Sequence, residues 1–237
     1  MVGDFAVRSR TIFAATLALA LAACASQTEL YDRSVARSAV FEESNVRPLT
    51  PLAYPVQALT YTTYPDWAAG SVGGTVKLAR ETWITVEPEV SGICRSFPKG
   101  EVVPRLNQLL GLKPATETDL AKRRFVRLRI DGPQKTGPTS AGVFRPCADP
   151  DPYAKACGNT VTGSPEYVAW FANWAVGAHQ LNPDVAKTGY PWTRLGYTYN
   201  WDPAVADIRG AQEYVVPKDT EVTVVGVVDP AEYCAGR

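Results

Sequence analysis

Apolar and polar residues alternate along several short segments of the chain, which is the pattern of half-buried β-strands. The clearest segment runs from Arg124 to Ile130, where Val126 and Leu128 share a face with Ile130 and two arginines point the other way. Similar runs of β-branched and aromatic residues, bounded by turn residues, predict further strands. They are Gln57–Tyr64, Thr75–Val86, Leu195–Trp201, Gln212–Val216 and Glu221–Val228, of which Thr75–Val86 is either one strand or a bent hairpin.

Two segments instead show the three-to-four residue spacing of an amphipathic helix. The first is Glu101–Leu112. The second begins at Ser164, a good N-cap residue followed by Pro165 in the first turn, and runs to His179. The order of strands and helices predicts an α+β fold, with a mainly antiparallel sheet and two helices.

The chain divides into three parts by composition. Residues 1–23 form a leader, and residues 24–55 are polar and contain three prolines, as expected of a flexible tether in which Glu29–Phe41 forms at most a short helix. Residues 56–237 have the length and pattern of one α+β globular domain. Within it, the Pro- and Gly-rich segment 131–159 predicts a long loop.

The leader has the organisation of an export signal. Arg8 and Arg10 precede an apolar run over 12–23 that is short for a membrane span. This run ends in Leu-Ala-Ala-Cys at 21–24, which resembles the lipobox of bacterial lipoproteins. The alternatives are an ordinary secretory signal with a chance cysteine nearby, or a resident transmembrane helix.

The lipoprotein resemblance implies a location and a partner. Cys24 would be diacylated and become the mature N-terminus, anchoring the protein to a membrane through its acyl chains, such as palmitate. Residue 25 is Ala and not the Asp that retains such proteins at the inner membrane. The resemblance therefore implies the periplasmic face of the outer membrane.

Four cysteines remain after Cys24, and an even number in an oxidising compartment predicts two disulfide bonds. Of the three possible pairings we favour Cys147 with Cys157, which closes a short loop, and Cys94 with Cys234, which fastens the C-terminus. The alternatives are a metal site, although the chain has no Cys-x-x-Cys motif, and a catalytic cysteine.

Charge and motifs argue against several function classes. The 24 basic and 24 acidic residues balance, which is unlike a nucleic-acid-binding protein. His179 is the single histidine, and its position at a helix end predicts a capping or packing role. The chain also has no Gly-rich phosphate-binding motif, so we expect no cofactor and no metal.

Aromatic residues are densest between residues 189 and 201. Tyr197, Tyr199 and Trp201 share a face if the segment is a strand, with Trp192 and Arg194 just before them. Two interpretations remain open. The face is either buried core, or an exposed platform on which a flat ligand such as a sugar stacks.

The segment 212–227 resembles the last sheet segment of ADP-ribosyltransferase-type toxins, in which a catalytic Glu precedes an apolar strand and a Pro-x-x-Thr turn. This resemblance implies that Glu213 polarises a nicotinamide ribose. The chain departs from that family because it has no clear Ser-Thr-Ser element, and no motif supports Arg127 or Arg129 as the first-strand arginine.

Together these features predict a cell-envelope lipoprotein that acts as a non-catalytic binding or assembly module for a glycan or a protein. Its candidate binding surface is the 190–201 segment. The alternative is a transferase or hydrolase, either ADP-ribosyltransferase-like or directed at carbohydrate, that uses Glu213 and Arg194.

Overall fold

The computed structural model describes residues 26–139 and 142–236 of the 237-residue chain. The leader and Cys24 lie outside the described residues. The described part contains seven strands, which are β1 (Val56–Thr62), β2 (Thr75–Lys77), β3 (Thr82–Val86), β4 (Arg124–Ile130), β5 (Tyr197–Tyr199), β6 (Arg209–Val216) and β7 (Glu221–Val228).

Seven α-helices accompany the strands in the same described part. They are α1 (Gln27–Ser38), α2 (Asp66–Ala69), α3 (Glu89–Cys94), α4 (Val102–Leu109), α5 (Glu117–Ala121), α6 (Pro165–Ala178) and α7 (Pro230–Cys234). The α+β class is confirmed, but the expectation of two helices is wrong. Four of the others are only four to six residues long, too short to show a helical period in the sequence.

All seven strands form one antiparallel sheet in the order β2-β7-β4-β1-β3-β6-β5. β6 and β7 are consecutive in the chain but not neighbours in the sheet. Their side chains nevertheless meet in one core cluster, where Val216 and Val222 pack with Leu128 of β4 and Ile84 of β3. The sheet is therefore strongly curled around this cluster, as the twist of a sheet allows.

The outer face of the curled sheet is covered by helices. At one end Leu59 and Phe125 pack against α3, α4 and α7. At the other end Val215 packs against α6 and Trp192. Between these two clusters the helices leave a space above β1, β3 and β6, which is the candidate site.

Residues 24–55 were expected to form a flexible tether, but the described part of this segment begins with a helix that packs on the domain. The N-cap of α1 is Ser26, which makes a capping box with Glu29. Tyr31 and Val35 of this helix are fully buried against Tyr199 and Trp201. The segment was predicted to be a tether because most of its residues are polar. Only a narrow stripe of α1 is apolar, and this stripe packs against the domain.

Both disulfides occur at the pairs that the sequence favours. Cys94 of α3 is bonded to Cys234 of α7, 140 residues away. Cys147 is bonded to Cys157 within the predicted long loop. The loop is further held by Tyr167 of α6, whose hydroxyl donates to the carbonyl oxygen of Cys147 at 2.6 Å and lies 3.1 Å from that of Arg145.

Candidate functional site

A cavity of about 300 Å³ lies between the outer face of the sheet and the end of α6. Its floor is built by β1, β3 and β6, and its other walls by the segment after α4, the end of α6, the segment before β5 and β5 itself. The lining consists mainly of aromatic and aliphatic side chains. They are Leu59, Tyr61, Trp83, Ile84, Thr85, Leu110, Gly111, Leu112, Trp174, Ala178, Tyr190, Pro191, Trp192, Thr198, Tyr199 and Glu213.

Strand register places one carboxyl group on the floor of this cavity. Leu59 of β1 is paired with Thr85 of β3, which is paired with Glu213 of β6, so the three side chains form a row across the sheet. Paired residues of antiparallel strands project from the same face. The neighbours of Glu213 in β6, Gln212 and Tyr214, therefore project away from the cavity.

Glu213 is the most unusual group in the site. Its side chain is 6% exposed, and its Oε1 atom has no hydrogen-bond partner among the described residues. Burial raises the pKa of this carboxyl from 4.5 to about 8, although attraction by Arg145 opposes the rise. At neutral pH the carboxyl is therefore mostly protonated.

Three tryptophans form one wall of the cavity. The ring centroid of Trp83 lies 5.2 Å from that of Trp174 and 6.1 Å from that of Trp192, with interplanar angles of 67° and 84°. Rings that meet nearly at right angles present both faces and edges to a common space. The indole Nε1 of Trp192 donates to the carbonyl oxygen of Pro146 at 3.1 Å, which fixes that ring.

The cavity reaches the surface beside Tyr190, which lines it and is 42% exposed. A second and more open depression of about 510 Å³ lies outside and shares Trp174, Ala178 and Tyr190 with the cavity. Lys113 lines this depression, and its ammonium nitrogen lies 4.8 Å from the centroid of the Tyr190 ring. Tyr190 therefore lies at the boundary between the cavity and the outer depression, together with Trp174 and Ala178.

The structure decides between the two interpretations of the aromatic segment. Tyr197, Tyr199 and Trp201 are at most 6% exposed, so they form core and not an exposed platform. They pack against α1 and residues 41–49. Trp192 is also buried, at 5% exposure, and contributes with Tyr199 to the cavity wall.

Arg194 does not join Glu213 in the cavity. Its guanidinium donates to the carbonyl oxygens of Ala39 and Ser38, at 2.8 and 3.4 Å, and so caps the C-terminal end of α1. The pairing of Arg194 with Glu213 in one catalytic site is therefore wrong. His179 is the C-cap of α6, and its ring stacks on Trp192.

Sequence reasoning identified Glu213, Trp192 and Tyr199 but missed most of the cavity wall. A usable signal existed at Trp83 and Thr85, because they alternate with core residues of β3 and must lie on the opposite face. A tryptophan on that face indicates a second apolar layer above the sheet. No comparable signal in the sequence indicates that the segment after α4 lines the cavity.

Within the part of the chain that the structure describes, no group of three or more His, Cys, Asp or Glu side chains is placed to hold a metal ion. No helix of residues 26–139 and 142–236 has the length and apolar character to cross a membrane.

Comparison with known proteins gives no relative. No protein-family model, curated protein or solved structure matches this chain.

Proposed function

We propose that the protein is a cell-envelope lipoprotein whose domain binds a small, mainly apolar molecule without transforming it. The observation that carries this proposal is the aromatic cavity with one unpartnered carboxyl group, Glu213, on its floor. Ligand pockets of proteins are typically apolar concavities with a few polar groups that orient the ligand.

The size and lining of the cavity define the ligand. A volume of about 300 Å³ is at the lower end of the range for small-molecule pockets. A glycan carries many hydroxyl groups that require partners, whereas the polar groups here are few. They are those of Thr85, Thr198, Glu213 and the tyrosines, and the indole N–H groups, of which that of Trp83 has no partner among the described residues. Thr198 already donates to the carbonyl oxygen of Leu109. The cavity therefore favours a compact ligand with one polar group over a sugar.

The same lining favours binding over hydrolysis. Glycoside hydrolysis uses two carboxyl groups across the substrate. Among the described lining residues, Glu213 is the single carboxyl group. A carboxyl that is neutral and unpartnered can hold a ligand by one hydrogen bond, and this is the role we assign to Glu213.

The envelope location is supported by two features of the chain. The leader and the Leu-Ala-Ala-Cys motif at 21–24 resemble those of an exported lipoprotein. The two disulfides are typical of proteins that fold in an oxidising compartment. We place the domain at the periplasmic face of the outer membrane, anchored through Cys24.

Filling the cavity tests the binding function. Ala178 lines the cavity and is 3% exposed, so Ala178→Leu places three additional carbon atoms in it. We expect small aromatic probes such as indole to quench or shift the tryptophan fluorescence of the wild type, and this response to fall at least tenfold in Ala178→Leu. The control is Ala172→Leu, an exposed position on the same helix. Equal responses in both variants would overturn the cavity as a binding site.

Changing Cys24 tests the anchor. In native cells we expect the wild type in the membrane fraction, carrying an acyl mass on Cys24, and Cys24→Ser in the soluble fraction. The reason is that one buried CH₂ contributes about 0.8 kcal/mol, so the acyl chains supply the membrane affinity. An unmodified wild type that keeps its initiating methionine would contradict the lipoprotein assignment.

A further inference from the structure

We infer that the ligand of this cavity is an organic cation, a compound whose ammonium group is surrounded by aromatic rings and paired with the carboxylate of Glu213. This inference rests on the proposed binding function and adds the chemical class of the ligand. Three observations carry it: the aromatic walls, the buried carboxyl and the charges around them.

The aromatic walls provide the first argument. Six aromatic side chains from five parts of the chain surround the space, which are Tyr61, Trp83, Trp174, Tyr190, Trp192 and Tyr199. The face of an aromatic ring carries negative electrostatic potential and attracts cations, and tryptophan does so most strongly. The ring of Tyr190 already holds the ammonium group of Lys113 at 4.8 Å on the rim. An anion would meet the same ring faces unfavourably.

The buried carboxyl provides the second argument. The Oε1 atom of Glu213 is desolvated and has no partner among the described residues, an arrangement that costs free energy unless something binds there. Protonation of the carboxyl does not give Oε1 a hydrogen-bond partner, because the surrounding side chains are mostly apolar. A cation in the cavity would ionise Glu213 and supply the missing partner.

The charges nearest to Glu213 provide the third argument. No lysine, arginine or histidine is among the described residues that line the cavity. Arg145 is the charged side chain that acts on Glu213, and its Nη2 atom is directed to Tyr214 and to the carbonyl oxygens of Thr50 and Pro152. The other titratable groups of the wall are the three tyrosines, and Lys113 lies outside on the rim. The Nε and Nη1 atoms of the buried Arg145 have no partner among the described residues, and its charge attracts Glu213 from outside the cavity, whose own lining holds no cationic side chain.

A pair of isosteric probes tests the inference. Choline and its carbon analogue 3,3-dimethylbutan-1-ol have the same shape and differ by one charge. By calorimetry on the disulfide-bonded protein at pH 7, we expect choline to bind about tenfold more tightly, since a desolvated cation–ring contact and an ion pair both favour it. If the alcohol binds as tightly as choline, the cavity binds apolar ligands and the inference is overturned. If neither binds, the proposed binding function fails together with it.

A substitution at Glu213 provides an independent test of the ion pair. Glu213→Gln removes the charge at constant size, so we expect it to reduce the preference for choline to the smaller part that the cation–ring contact supplies. Glu81→Gln is the control, because Glu81 is a half-buried carboxyl that accepts the indole N–H of Trp170 at 2.7 Å but does not line the cavity.

Binding of the cation should also release a proton. Because Glu213 is mostly protonated at pH 7, choline should release close to one proton per site, measured as the dependence of the binding enthalpy on the ionisation enthalpy of the buffer. At a pH well above 8 the release should vanish. A wild type that binds choline without proton release, or a Glu213→Gln variant that keeps the full preference, would overturn the role of Glu213.

Discussion

At the scale of single residues, Glu213 shows how one buried carboxyl makes stability depend on pH. Its pKa is about 8 in the folded protein and close to the ordinary value of 4.5 when the chain unfolds. Between these values the folded state binds the additional proton, so the free energy of unfolding decreases as the pH rises. The contribution of Glu213 to the free energy of unfolding is fully present below pH 4.5 and is lost once the pH exceeds about 8.

We therefore predict that the wild type loses stability between pH 5 and pH 9 more steeply than Glu213→Gln. Each pKa unit of difference corresponds to about 1.4 kcal/mol, so the loss should amount to several kcal/mol. Urea unfolding across this range measures it. The control is Glu117→Gln at an exposed position, which should keep the wild-type slope. A wild-type profile as flat as that of Glu213→Gln would show that the carboxyl is not desolvated.

At the scale of elements, sequence pattern succeeds where one periodicity lasts long enough. β4 and β7 have the predicted bounds, and α6 begins at its predicted cap, because alternation or helical spacing persists for seven residues or more. The helices of four to six residues are too short to show a helical period in the sequence. The order of the strands in the sheet has no signature in the sequence either. α1 was missed as part of the domain because its apolar stripe is narrow and the surrounding segment is polar.

The attachment of α1 leads to a prediction at this scale. Tyr31 is fully buried, and its hydroxyl donates to the carbonyl oxygen of Gly189 at 2.9 Å. We expect Tyr31→Ala to lower the free energy of unfolding by about 3–5 kcal/mol, as for other large-to-small changes in a core. Tyr64→Ala removes the same atoms at a site that is 71% exposed, and it should change the free energy of unfolding by less than about 0.5 kcal/mol. Chemical denaturation measures both, and similar values would mean that residues 26–38 act as a tether after all.

At the scale of the whole molecule, the two disulfides differ in what they connect. Cys147 and Cys157 close a loop with a separation of 10 residues, whereas Cys94 and Cys234 join positions 140 residues apart. A cross-link stabilises a protein mainly by restricting its unfolded chain, and the effect increases slowly with the length of the loop. The longer loop encloses four of the seven strands, β4 to β7.

We predict that replacing both Cys94 and Cys234 with serine lowers the free energy of unfolding by about 5 kcal/mol, and that the same change at Cys147 and Cys157 lowers it by about 3 kcal/mol. Equilibrium unfolding of the two double variants under non-reducing conditions compares them directly. A larger loss for the 147–157 pair would show that native contacts within the loop outweigh chain entropy.

The early start of α1 has a consequence for how an anchored molecule would be oriented. Gln27 is the first helical residue and lies only three positions after Cys24, a stretch that reaches at most about 11 Å when fully extended. The side chain of Gln27 also accepts a hydrogen bond from Gln108 in α4, close to the Leu110–Leu112 wall of the cavity. A lipid anchor at Cys24, as proposed above, would therefore hold the side of the domain that bears these two helices close to the lipid head groups.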